Sequence, residues 1–443
     1  MEPRNTLSEL YILSGYGLAA GYGFVEVEAG TPARNHLAQL DGAARTKGLL
    51  VTPATAGPLP ASGASPNLLH PPGMSLLAAA LHRLTGLAAD IPMEIFGALL
   101  DSLAAMLFAW LVTALFTAKL GRSLGYLYGL FPPLAFSATI GLAPEGLTGF
   151  FVAASLCCVV RGARDASPRA WAWYALSGVV TGVGCYLRPD YLFMSIFLVP
   201  AVAILGHNWR RALAAMLLAQ VTALCLLAPW ALRNHELTGR WIFTSTAIGC
   251  TLIAGIGEFH NPWNYGYADE DTIAFTARAG IHGQSTSEAD VYCRKIYWQN
   301  LQEHPDAIAL AAVRRLPIAF LAPHSLGVVN RFKTKTFTQQ AAAGKDRYQA
   351  ILADPLYVLG AYADRLLMVL FSIACLFGLG LMYKHEKLHR RELFLLLSAH
   401  LYSIAAHAVI HVEPRYLLPS FFVYLLGLAW WWNSRKSPAV KVT

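Results

Sequence analysis

Charge is scarce in this chain, and that scarcity sets its class. Only 14% of the 443 residues are Asp, Glu, Lys or Arg, against roughly 25% in an average soluble domain. Hydrophobic residues make up 56%, and the mean hydropathy is +0.44. The sequence is that of an integral membrane protein. A formal charge of +8 does not signal nucleic acid, because most of the excess lies in short connections between apolar runs. No nucleic-acid partner is expected. Seven cysteines include no CxxC pair, and five of them fall inside apolar runs, where a thiol behaves as a small hydrophobe. Cys250 and Cys293 fall outside those runs and can pair if their segment faces an oxidising space. The Gly-rich stretch 246–257 lacks the GxxxxGK[ST] pattern, which argues against nucleotide use. There is no internal repeat of the kind that marks many transporters.

Long apolar runs, by contrast, are plentiful. A span needs about 20 mostly apolar residues, and nine segments qualify or come near: 92–117, 123–141, 146–161, 170–187, 190–206, 211–232, 357–383, 391–411 and 416–432. The fold class expected is an all-α polytopic bundle with an outer domain of mixed structure inserted at 233–356. Residues 1–91 form a first outer region, 92–232 carry spans one to six, 357–432 carry spans seven to nine, and 433–443 form a tail. Residues 26–69 read as an irregular loop, and His70-Pro71-Pro72-Gly73 opens a short interfacial helix over 74–87.

The turning point is Leu227–Gly257. Pro229 and Trp230 stand where span six runs out, so the helix is expected to stop there with Trp at headgroup depth. Lys and Arg then set the orientation. One set of alternate connections, with the C-terminal tail, holds fourteen: Lys119, Arg122, Arg161, Arg164, Arg169, Arg210, Arg211, Lys384, Lys387, Arg390, Arg391, Arg435, Lys436 and Lys441. The short loops on the other side hold only Arg188 and Arg415. The N-terminal region and the insert are therefore placed outside and the tail in the cytoplasm. The chain reads as a multi-pass protein of a bacterial inner membrane.

Six fragments resemble, in order, a known family. They are YILSGYGLAAGYGF (11–24) with HPPGMSLLAAALHRLTG (70–86), then YGLFPPLAFSATIGLAPEGL (128–147), GVGCYLRPDYL (182–192), APWALRN (228–234), EADVYCRKIYWQNLQEHPDAIALAAVRRL (288–316) and HVEPRYLLP (411–419). Together they resemble the GT-C superfamily of polytopic glycosyltransferases. The nearest members are protein-mannosyltransferase-like and aminoarabinose-transferase-like enzymes that use polyprenyl-phosphate sugars. The family normally places a transmembrane helix before the first outer loop, so a first helix is expected to be missing from this sequence. It also carries an acidic residue shortly before the Tyr that Tyr11 matches, and Glu9 is the carboxylate nearest that place.

The resemblance implies transfer of a sugar from a polyprenyl-phosphate donor to a glycan, lipid or protein acceptor, with membrane lipids around it. Such a reaction needs a carboxylate to take the acceptor's proton and cations to hold the departing phosphate. Glu9 is the candidate base by resemblance; read plainly, it is a loop carboxylate near a chain end. Glu145 is the second acidic candidate, and equally a carboxylate favoured by the helix dipole after Pro144. Arg188 and Arg415 are candidates for the phosphate, since Arg matches it bidentately; snorkelling, or ion pairs with Asp190 and Glu413, is the plain alternative. The same fragments put Tyr11, His70, Asp190 and Arg233 among substrate-binding residues. No metal ligands are assigned and no cofactor is named, with a divalent metal left open. Asp101 reads as a helix-to-helix hydrogen-bonding residue, and His400, His407 and His411 as packing residues along one helix. Rival classes are a lipid-linked sugar transporter or flippase and an inactive assembly subunit.

Overall fold

The computed structural model describes residues 6–28, 30–138, 144–206, 208–281, 286–321 and 355–436. The N-terminal region is a small helical layer. α1 (Thr6–Ala19) leads to strand β1 (Val25–Val27), α2 (Pro32–Lys47), the single turn α3 (Pro53–Ala56), β2 (Ala64–Pro66) and α4 (Gly73–Thr85). The two strands pair antiparallel, with Val25 opposite Pro66 and Val27 opposite Ala64. α1 lies on α4 so closely that a Cβ at Gly15 would meet the Ala78 Cβ at 2.7 Å.

The stretch expected to be an irregular loop thus holds a helix of sixteen residues. Its signals are local. The Thr31 hydroxyl accepts the Arg34 N–H, Pro32 opens the first turn, and Gly48 closes the last at φ 63°. Ala33, Leu37, Leu40 and Ala44 recur at helical spacing and are buried. The low hydropathy of the intervening residues hid that stripe.

The membrane bundle follows. Five described helices are long and apolar enough to cross: α5 (Asp90–Leu115), α8 (Pro144–Arg164), α11 (Trp209–Thr238), α16 (Pro355–His385) and α17 (Arg390–Ile410). The other expected spans are shorter or divided. The second is α6 (Ala118–Gly129) and α7 (Pro132–Ala138), split where Phe131 precedes Pro132, a residue biased away from helix. α9 (Ala170–Leu187) has 18 residues. The fifth is a 3-10 stretch, Pro189–Phe197, running into the seven-residue α10 (Leu198–Ile204). The last is 3-10 over Pro414–Ser420 and then α18 (Phe422–Lys436). Prolines 189, 414 and 419 lie in those 3-10 stretches, where a regular i→i−4 ladder is hard to complete.

Outside, the bundle presents apolar side chains. Ile95, Leu99, Leu103, Met106 and Trp110 are exposed along α5 at spacings of three and four, which suits contact with lipid. Inside, Phe108 stacks on Phe422 with centroids 4.0 Å apart, and Phe131 on Phe421 at 5.0 Å. Ser155 and Ser177 share a 2.7 Å hydrogen bond between α8 and α9, a link worth roughly 0.6 kcal/mol inside a membrane bundle.

Pro229 does not end span six. α11 continues past it to Thr238, where Gly239 closes the helix at φ 71°. Trp230 is buried, its Nε1 donating to the Thr244 carbonyl at 3.0 Å and its ring edge-on to Phe24. The boundary with the insert shifts accordingly from 232 to 238. Among its described residues the insert is helical rather than mixed: α12 (Ala247–Gly257), α13 (Asp269–Arg278), α14 (Ser287–Glu303) and α15 (Pro305–Leu321).

One arginine fastens the insert to the bundle. Arg315 on α15 is 2% exposed. Its Nη1 donates to the carbonyls of Ala408 (2.8 Å) and Val409 (3.3 Å), Nη2 to that of Gly255, and Nε to Glu258 at 2.5 Å. A guanidinium there satisfies the carbonyls that end α17 and α12 and favours both helix dipoles.

Candidate active site

Several element ends meet at one pole of the bundle. The first turn of α8 brings Glu145, the end of α9 brings Arg188, and the 3-10 stretch after it brings Asp190. The connection after α17 supplies Glu413, Arg415 and Tyr416. Arg188 donates from Nη1 to Glu145 Oε1 and from Nε to both Asp190 oxygens, at 2.9 and 3.2 Å. The Tyr416 ring lies 4.4 Å from its guanidinium carbon. Arg415 reaches the same Glu145 oxygen, with Nε at 3.5 Å, and pairs with Glu413 at 2.5 Å.

The plain expectation for Glu145, a carboxylate at a helix start, holds, and a contact the sequence did not suggest is added. It stands in the first turn of α8, and it is also the point where both arginines converge. Its Oε1 is occupied, while its buried Oε2 has no hydrogen-bond partner among the described residues. The arginines differ. The Arg188 side chain is 9% exposed and committed to two carboxylates, whereas that of Arg415 is 27% exposed. Of the two, Arg415 is the more open to solvent.

Asp190 is held from three directions. Arg188 grips its carboxylate, His407 Nε2 lies 3.2 Å from Oδ2, and the Tyr402 hydroxyl donates to its backbone carbonyl. Tyr11 comes within electrostatic reach of Glu145, Arg188, Arg415 and Tyr416, and burial followed by the Glu145 charge pushes its phenol up. The His70 ring meets Tyr11 edge-on at 5.2 Å, and burial pushes its imidazole down to about 4, so it is neutral at pH 7.

A second group continues the cluster toward the insert. His411 sits between Glu258 of the insert, bound through Nδ1, and Glu413, 3.5 Å from Nε2. Burial alone would lower this imidazole, but the two carboxylates raise it to about 9. Burial alone would raise Glu413, yet His411 and Arg415 hold it at about 2. Glu258 is likewise kept below the usual carboxylate range by His411 and Arg315, against its burial.

The structure thus gathers Tyr11, His70, Glu145, Arg188, Asp190 and Arg415, and leaves Arg233 apart. Arg233 donates to the backbone carbonyls of Asn67 and Phe24, both at 3.2 Å, and stacks on Trp230 at 4.6 Å. It fastens the first region to α11. Glu9 lies in the first turn of α1, but its side chain is outside the described residues. Asp101 is buried, and its Oδ1 has no hydrogen-bond partner among the described residues. Among those residues no group of three or more His, Cys, Asp and Glu is arranged to hold a metal ion. The sequence reading took His407 as a packing residue, whereas it meets Asp190, and it did not include Tyr416, Tyr402 or Glu258. For Tyr416 a signal existed, as it directly follows Arg415 in HVEPRYLLP.

Comparison with known proteins adds little. No family model matches the chain, and no curated protein sequence matches it. Among solved structures, the crystal structure of the Archaeoglobus fulgidus oligosaccharyltransferase in complex with Zn and sulfate is similar over 82% of this chain and 45% of that one. The sequences are 14% identical there and the TM-score is 0.33. The chain thus spans less than half the length of that protein. A likeness of this extent carries no argument about the site, which stands on its own residues. The chain is a multi-pass helical membrane protein. The candidate site at this pole comprises two guanidiniums, three carboxylates and the His407 imidazole.

Proposed function

We propose that this protein is a GT-C-type membrane glycosyltransferase that moves a sugar from a polyprenyl-phosphate donor to an acceptor at the outer face. The observation that carries the reading is the convergence of Arg188 and Arg415 on one oxygen of Glu145, whose other oxygen is buried and unpartnered among the described residues. A membrane protein holds such charges at a span end only if they are paired or used. The reaction then runs as a single displacement. The acceptor oxygen forms a bond to the anomeric carbon as the bond from that carbon to the phosphate oxygen breaks. The acceptor's proton passes to Glu145 Oε2, and Arg415 stabilises the leaving phosphate. Arg188 and Asp190 position Glu145 and Tyr416. Glu9 remains the alternative base, by its place in the sequence.

A membrane-embedded donor with a polar headgroup fits a site at the end of a bundle, reached by the lipid from the bilayer and by the acceptor from water. The decisive experiment is reconstitution in vesicles with a panel of radiolabelled polyprenyl-phosphate sugars. Transfer of label to a polar acceptor with release of polyprenyl phosphate is the expected result. Movement of the intact donor between leaflets without its cleavage would overturn the reading in favour of a flippase.

A further inference from the structure

The insert carries a feature that the proposed reaction does not use. The Cys250 sulfur on α12 lies 3.5 Å from the Cys293 sulfur on α14, and both residues are buried. The helices touch backbone to backbone beside them. A Cβ at Gly249 would run into the Asp290 carbonyl, and the Gly249 N–H donates to Asp290 Oδ1 at 2.7 Å. That crossing lies one residue before Cys250 and three before Cys293. A disulfide needs Cα atoms roughly 4.4–6.8 Å apart and sulfurs at about 2.05 Å. A crossing that leaves no room for a side chain at Gly249 is the kind that brings Cα atoms into this range. The sulfurs then have about 1.5 Å to close, which rotation about the side-chain bonds supplies.

We propose that Cys250 and Cys293 form a disulfide that staples α12 to α14 in the mature protein. This rests on the placement of the insert outside the membrane, in an oxidising space. The chemistry balances with a protein disulfide oxidoreductase as oxidant. The two thiols lose two protons and two electrons as one S–S bond forms, and the oxidant's disulfide becomes a dithiol. Because both sulfurs are buried in the packed insert, the exchange takes place while α12 and α14 are still docking. Once formed, the bond is shielded from soluble reductants. The staple has a specific target: α12 also carries Gly255, which binds Arg315, and leads to Glu258, which binds Arg315 and His411.

The test uses the full chain in native membranes. The membranes are denatured directly into an alkylating reagent without reductant, and the digest is read by mass spectrometry. Trypsin releases Cys250 in the peptide 241–278 and Cys293 in 279–294. The expected species is the two peptides joined, lighter than their sum by two hydrogens, and absent after reduction. A Cys250→Ser variant should leave Cys293 alkylated without reductant. An impermeant maleimide applied to intact cells carrying Ala279→Cys reports the side of the membrane in parallel. Alkylation of both native thiols with Ala279→Cys labelled from outside overturns the disulfide and leaves the topology standing. The same alkylation with Ala279→Cys protected overturns both.

Discussion

Asp190 and His407 stand 217 residues apart in sequence, and their side chains meet at 3.2 Å. The contact ties the 3-10 stretch after α9 to the last turn of α17 and so joins the two halves of the bundle at one pole. The first prediction follows from the pair. His407→Ala removes a partner of Asp190 but leaves Arg188 in place, so the fold should persist. Loss of orientation around Glu145 should lower turnover about tenfold, within the range by which misplaced groups slow a reaction. His407→Asn or His407→Gln, which can still donate to Asp190, should recover part of it. Equal loss in all three variants would reduce His407 to packing.

The arginines should separate cleanly. Arg188 is buried between two carboxylates, and removing one partner of a buried ion pair costs roughly 3–5 kcal/mol. Arg188→Ala should therefore lower the melting temperature sharply. Arg415→Lys keeps the charge but loses the planar fork, so it should fold normally and bind a polyprenyl-phosphate sugar at least tenfold more weakly. Wild-type affinity in a folded Arg415→Lys protein would remove Arg415 from the donor site.

Glu145 and Glu9 are best tested side by side. A general base contributes about 10²–10⁴-fold. Glu145→Gln should bind donor and lose turnover by that factor, while Glu9→Gln keeps most of it. A dead Glu9→Gln beside an active Glu145→Gln would move the base to the first region.

Stability should fall on the alkaline side. His411 has its pKa raised to about 9 in the fold, against about 6.5 in the unfolded chain. The stabilisation of its links to Glu258 and Glu413 is thus fully present below about pH 6.5 and is lost as pH rises through about 9. The melting temperature in detergent should drop between pH 7 and 9.5, and His411→Gln should flatten that drop. An identical slope in the variant would assign the pH dependence to other groups.

Topology has a direct check. An impermeant maleimide should label Ala279→Cys on intact cells and spare Ala166→Cys. Ala279 is preferred to its neighbour Gly280, whose φ of 77° disfavours any side chain. The reverse pattern would turn the protein over in the membrane.

Much of this was legible in the sequence, and the reasons are physical. Hydropathy placed α5, α8, α11, α16 and α17, because a lipid-facing helix must be apolar along its whole length. The scarcity of charge made Glu145, Arg188 and Arg415 conspicuous, and the structure joins all three. Pairings across the bundle, such as Asp190 with His407, leave no trace in spacing. Pro229 misled because its effect depends on context: it stands exposed inside α11, which runs on past it to Thr238, as prolines in membrane helices can. α2 was missed because its buried stripe is two alanines and two leucines within a polar sequence.

The seam between α9 and α11 has one further consequence. A Cβ at Gly178 would strike the Ala219 backbone, and one at Gly182 would lie 3.2 Å from the Ala223 Cα. Two helices in such contact leave no gap for a hydrocarbon chain. A hydrocarbon tail, if the substrate carries one, has to enter elsewhere on the perimeter, a constraint imposed by a pair of absent side chains.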